Sequence, residues 1–254
     1  MPDVPVTIPE SYELVRTIST SDMVSEHIVR HRTEDILLRL KIFGFTSASG
    51  ATTRRHSREQ LRSDITFMEE LEQPGIIRVF DYSDSKNQFS IATQPAEVDK
   101  LSECFDFLVT QSVEFRQKLV HQFLAVLQRI HDRRVVHRNI SGNAVFLTPK
   151  HEIYIGDFGL ASHLTDRPTT RMETTLVTTT SYLPPEVRGA ETFICNVKSD
   201  IFSAGLLAFE ILSATPLPQD SPDHIIEILK VLMNEQVDNR IINSTTADVI
   251  LKAV

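Results

Sequence analysis

Four short stretches hold the side chains best suited to chemistry. They are Lys41 in LLRLKIF, the polar loop HRNISGNA beginning at His137, Asp157 in DFG, and PPE from Pro184 followed by KSDIFSAG from Lys198. Lys41 is a cation in an aliphatic run, where its ordinary role is to lay its stem along apolar neighbours. Asp157 is a carboxylate able to bind a metal. In the polar loop, Asn139 follows His137 and Arg138. Asparagine is nearly isosteric with aspartate and can orient a hydroxyl, but it takes no proton, so this position has no general base.

The elements that position these residues change character along the chain. YELVRTIS, DILLRLKIF, IIRVFDYS and QFSIAT carry β-branched and aliphatic residues between polar turns and read as strands. Residues 47–56, SASGATTRRH, read as a loop. From Ser57 to Glu72, Leu61, Ile65, Phe67, Met68 and Leu71 fall at helical spacing, and QPG at 73–75 stops that helix. Beyond Pro95 comes a long amphipathic helix with Phe115, Leu119, Phe123, Leu127 and Ile130 on one stripe. Two short strands follow (NAVFL and EIYIG), then a Thr-rich loop, the buried helix DIFSAGLLAFEIL and a helical C-terminal stretch. A β-rich part of residues 1–96 with one helix, then a mainly helical part of 97–254, is an α+β arrangement of two lobes.

The four stretches, in this order, make the chain resemble the eukaryotic-type protein kinase family over nearly its whole length. The resemblance implies a two-lobed kinase-like fold and assigns roles. Lys41 aligns with the lysine that contacts the nucleotide's phosphates, and Asp64 with the helix carboxylate that pairs with it, one methylene short. Asp157 aligns with the magnesium-binding aspartate, and Asn139 stands at the catalytic base position. The loop lysine is replaced by Ser141 and the second metal ligand by Ala144, with Asn143 one position early. If a nucleotide binds, Lys41, Asp157, Thr93 and Ala96 are the residues implied to touch it. His137, Arg138, Phe158, Glu186, Asp200 and Arg240 match the family's structural positions, with Met68 and Phe158 in its hydrophobic spine and Glu186 paired to Arg240.

The nucleotide pocket departs further from the family. Where relatives have glycines whose backbone approaches the phosphates, this chain has Ser19, Ser21 and Val24 in ISTSDMV. Glu26 and Arg39 stand at the adenine roof, and Phe146 replaces the smaller floor residue. Opposite charges on neighbouring strands attract. An arginine buried alone costs several kcal/mol, so Glu26 or another carboxylate is expected beside Arg39. A one-residue slip in register would instead turn either side chain to solvent.

The expectation is a pseudokinase: a protein-interaction or allosteric module with impaired ATP binding, no cofactor, and an active kinase or other signalling protein as partner. The alternative is a divergent Ser/Thr kinase of weak activity, using ATP and Mg²⁺ through Lys41 and Asp157. The net charge of −8 argues against a nucleic-acid face. No apolar run is long enough for membrane insertion, and the N-terminus has no secretory pattern. Cys104 and Cys195 show no paired or zinc-like spacing and read as reduced thiols, which fits a cytoplasmic location. The Thr-rich loop from Ala161 to Leu183 reads as a solvated polar loop; a phosphate added there by another kinase would pair with Arg138 and act as a binding switch instead of a catalytic one.

Overall fold

The computed structural model describes residues 7–21, 23–45, 51–164, 172–173, 182, 192–193 and 196–217. The chain divides into two compact units, Met1–Val98 and Asp99–Val254.

In the first unit, β1 (Tyr12–Thr20), β2 (Val24–His31), β3 (Leu37–Gly44), β4 (Arg78–Asp84) and β5 (Gln88–Gln94) form one sheet of order β1-β2-β3-β5-β4. Every pairing is antiparallel. Alternation in β3 sorts its side chains onto two faces. Leu38, Leu40 and Ile42 are fully buried and pack with Tyr12, Val29 and Ala92. Arg39, Lys41 and Phe43 take the opposite face, where Phe89 and Ile91 join Ile65 of helix α1 (Ala51–Glu70) and Phe45 in a second cluster.

Helix α1 corrects one expectation, because residues 51–56 belong to it and not to the preceding loop. Its first turns are polar, so apolar spacing does not reveal them. Ala51, Arg54 and Arg55 are nevertheless good helix formers and carry the helix beyond its apolar stripe.

The second unit opens with β6 (Asp99–Lys100), a 3₁₀ turn (Leu101–Glu103) and α2 (Phe105–Val109). Helix α3 (Val113–Asp132) follows, started by Ser112, whose Oγ accepts from the Phe115 N–H at 3.2 Å. It buries Leu119, Phe123, Val126, Leu127 and Ile130. Phe115 stays half-buried and meets the rings of Phe107 and His151 instead.

Then come β7 (Val135–Val136), β8 (Val145–Leu147), β9 (Ile153–Ile155), β10 (Ser162–His163), β11 (Met172–Glu173), β12 (Thr192–Phe193) and α4 (Val197–Ser213). Strands β6, β8 and β9 form one small sheet, while β7 pairs with β10 and β11 with β12. Helix α4 is held at its start by a capping box between Asn196 and Ser199, and at its end Ala214 turns left-handed at φ 52°. Only elements packed on every side leave Phe202, Leu206, Leu207, Phe209 and Ile211 all buried. Among the described residues, α3 and α4 pack against each other. No helix among the described residues is long and apolar enough to cross a membrane.

Candidate functional site

Register in the first unit fixes which charges meet. Glu26 of β2 lies directly across from Lys41 of β3, and Arg39 lies across from Ile28 on one side and Thr93 on the other. Side chains directly opposite share a face, so Glu26, Arg39, Lys41 and Thr93 all point the same way. The Glu26 carboxylate accepts from Arg39 Nη2 at 2.6 Å and Nε at 3.1 Å. This is the carboxylate that a buried arginine requires. The two side chains are only 12% and 9% exposed, so their attraction is stronger than in water and is set against the desolvation of both charges.

Arg39 also reaches past the sheet. Its Nη1 donates to the carbonyl of Val98, in the segment after β5. That segment contains Pro95, which has no backbone N–H, and the buried Ala96. Thr93 Oγ1 donates to the Arg39 carbonyl at 3.3 Å. An exposed pair, Arg16 and Glu97 at 3.8 Å, links β1 to the same segment.

Lys41 takes Glu26 as a carboxylate partner, at 3.6 Å from Nζ to Oε1, and lies 5.1 Å from the Phe43 ring centre. Asp64, the expected partner, is a half-buried residue of α1. Glu26 therefore contacts both Arg39 and Lys41.

The turn from β1 to β2 is closed upon itself. The Ser21 N–H donates to the Val24 carbonyl at 2.8 Å, and the Val24 N–H donates to Ser21 Oγ at 3.2 Å. The Gly44 N–H holds the Met23 carbonyl at 2.7 Å. Two amides of the turn are thus engaged internally.

In the second unit, one buried carboxylate shapes the polar loop. Asp200 at the start of α4 accepts from the backbone N–H groups of His137 and Arg138, each at 2.8 Å, and contacts His131 Nε2 at 2.9 Å. His137 is fully buried and Nε2 lies 2.9 Å from the Gly156 carbonyl, so Nε2 carries the proton. Nδ1 then accepts from the Asn139 N–H at 3.2 Å. Burial lowers the His137 pKa, with Asp200 opposing, and the ring stays neutral. Its centre sits 4.6 Å from that of the buried Phe158. Arg138 and Asp157 both adopt left-handed backbone, φ 67° and 63°, which non-glycine residues hold only where neighbours enforce it.

Asn139 and Asp157 meet directly, Asn139 Nδ2 donating to Asp157 Oδ2 at 2.6 Å. Two carboxylates could not approach so closely without a proton or a cation between them. The amide removes that need and occupies one oxygen of Asp157. Asn143 turns elsewhere, its Oδ1 accepting from Ser102 Oγ at 2.8 Å, and Ala144 is fully buried. Phe146 is half-buried in β8, between Lys100 and Tyr154 in register.

Three contributors escape the sequence reading. Val98 acts through its backbone carbonyl, which no side-chain pattern announces. His131 and Glu210 are visible only as polar residues within apolar helices. Glu210, in LLAFEIL, accepts from the Tyr182 hydroxyl and from the Leu217 N–H, the latter at 2.8 Å, and Tyr182 in turn lies 3.4 Å from the Gly142 N–H. Burial pushes the Glu210 carboxyl up to about 7 and raises the Tyr182 hydroxyl as well. Cys104 is a free thiol pushed up to about 11 by burial, consistent with a structural role. Glu186, Arg240, Cys195 and most of the Thr-rich loop lie outside the described residues.

The geometry thus organises the polar loop and the DFG segment around Asp200, His137 and the Asn139–Asp157 contact. Sequence comparison accounts for this arrangement. The model of the protein kinase domain family matches residues 17–251. The chain is 28% identical to Aurora kinase B of Xenopus tropicalis over 219 residues, covering 85% of this chain and 57% of that protein. It is 27% identical to Aurora kinase A-B of Xenopus laevis over the same share of this chain, and half of that protein. Against serine/threonine-protein kinase PrkC of Bacillus subtilis (strain 168) it is 23% identical over 246 residues, 95% of this chain and 37% of that one. The chain spans about half the length, or less, of these curated relatives. With a β-sheet lobe, a helical lobe and a family match across nearly its whole length, this chain belongs to the protein kinase family and has its two-lobed fold.

Proposed function

We propose that this domain is a pseudokinase: a folded interaction or allosteric module that neither binds ATP well nor transfers phosphate. The observation that carries the reading is Arg39, whose guanidinium is buried between the Glu26 carboxylate and the Val98 carbonyl. It stands where the family keeps a small residue against adenine, on the sheet face that carries Lys41. A magnesium nucleotide does not fit these residues. Lys41 is drawn to Glu26, the turn amides of Ser21 and Val24 are engaged, and Asp157 is tied to Asn139. Ala144 offers no metal ligand and Asn139 accepts no proton.

The proposed partner is another folded protein, an active kinase or other signalling protein, met in trans or along a longer chain. The proposed location is the cytoplasm. A second reading draws on one observation: Lys41 is retained and Asp157 is exposed, which fits a weak Ser/Thr kinase using ATP and one Mg²⁺. Incubation with labelled ATP, Mg²⁺ and a generic protein substrate separates the two. The pseudokinase reading expects no incorporation above that of Asp157→Ala. Incorporation that Asp157→Ala abolishes would establish the weak kinase instead.

A further inference from the structure

We infer that Arg39 is a built-in ligand, a guanidinium whose binding site is made by Glu26 and Val98 and whose occupancy holds the segment 95–98 in place. The inference rests on the pseudokinase reading, since a site that admitted nucleotide could not keep this side chain there.

Three facts carry it. The guanidinium uses both edges of its fork: Nε and Nη2 grip one oxygen of Glu26, while Nη1 donates to the Val98 carbonyl. These partners lie 13 and 59 residues away in the chain, so one side chain joins β2, β3 and the segment that ends this unit. Residues 95–98 belong to no helix or strand, and Pro95 removes one backbone donor. The remaining side-chain ion pair there, Arg16 with Glu97, is more than half exposed on both sides and contributes little.

A mere neutralising partner for Glu26 would need no contact with Val98. Lys41 already approaches the other Glu26 oxygen at 3.6 Å. The contact with the carbonyl is what turns a buried ion pair into a clasp. It ties the segment to β3.

Backbone amide order parameters of Ala96, Glu97 and Val98, measured by NMR relaxation without nucleotide, test the clasp. In Arg39→Ala they should fall from the rigid range of about 0.85 to below about 0.6. Low-millimolar ethylguanidinium should restore them saturably in that variant, whereas KCl of equal ionic strength should not. Unchanged order parameters in Arg39→Ala overturn the inference, as does rescue no better than KCl. Should that variant fail to fold, Arg39→Lys keeps the charge but lacks the fork. Its order parameters should also fall, and parental values there overturn the clasp. Nucleotide titration of the parent tests the pseudokinase reading separately, so the two can fail independently.

Discussion

Arg39 joins Glu26 of β2 to the Val98 carbonyl. A guanidinium in a half-buried sheet face is tolerated only with a carboxylate in reach, and Glu26 is placed by register to provide it. Removing the acid alone is therefore harmful: Glu26→Gln should lower unfolding free energy by about 3 kcal/mol, read from denaturant melts. Removing both charges is different. Arg39→Ala with Glu26→Val should admit nucleotide, detected as a saturable thermal shift with Mg–ATP. If the double variant gains none, the ion pair is not what excludes ATP. Glu210 gives a pH signature. Its carboxyl is raised from 4.5 to about 7 by burial, so its contribution is complete below pH 4.5 and lost as pH rises through 7. Relative to Glu210→Gln, the parent should lose about 3 kcal/mol of stability between pH 4.5 and 8. A constant difference across that range would contradict the assigned shift. Arg39 was legible because its distance to Lys41 fixes its face. Its bond to a backbone carbonyl was not, because backbone acceptors leave no trace in residue type.

At the scale of elements, periodicity found what packing demands and missed what capping and turns provide. The stripe of α3 was visible because Leu119, Phe123, Leu127 and Ile130 face one core. The start of α1 was hidden because its first residues make no apolar pattern. Capping can be tested at α4. Asn196→Ala should cost about 1 kcal/mol, with the loss seen in both thermal and denaturant unfolding and no change in fold. The β1–β2 turn makes a sharper prediction about function. Ser19→Gly with Ser21→Gly restores the residue type of nucleotide-binding turns, yet leaves Arg39 in place. It should leave Mg–ATP binding undetectable by calorimetry. Binding gained from the glycines alone would place the obstruction in the turn and not on the sheet face.

For the whole molecule, the order of Lys41, HRN, DFG and PPE along the chain identified the fold, and the family match over residues 17–251 agrees. Those positions are kept where they serve architecture: Asp200 still organises the loop backbone, and His137 still packs on Phe158. In the proposed reading, the substitutions fall where a phosphate, a metal or a transferable proton would need a group. Asn139 is the clearest case, since its isosteric exchange preserves the loop while its amide joins Asp157. That an asparagine stands at position 139 is plain in the sequence, but the bond it makes to Asp157 depends on the backbone turning left-handed at Arg138 and Asp157. A thermal-shift titration of the parent domain with Mg–ATP tests the proposal that the retained frame takes no nucleotide. No saturable rise in melting temperature is expected. A saturable rise, equivalent to about 2.7 kcal/mol at a hundred times Kd and abolished by Lys41→Ala, would contradict it.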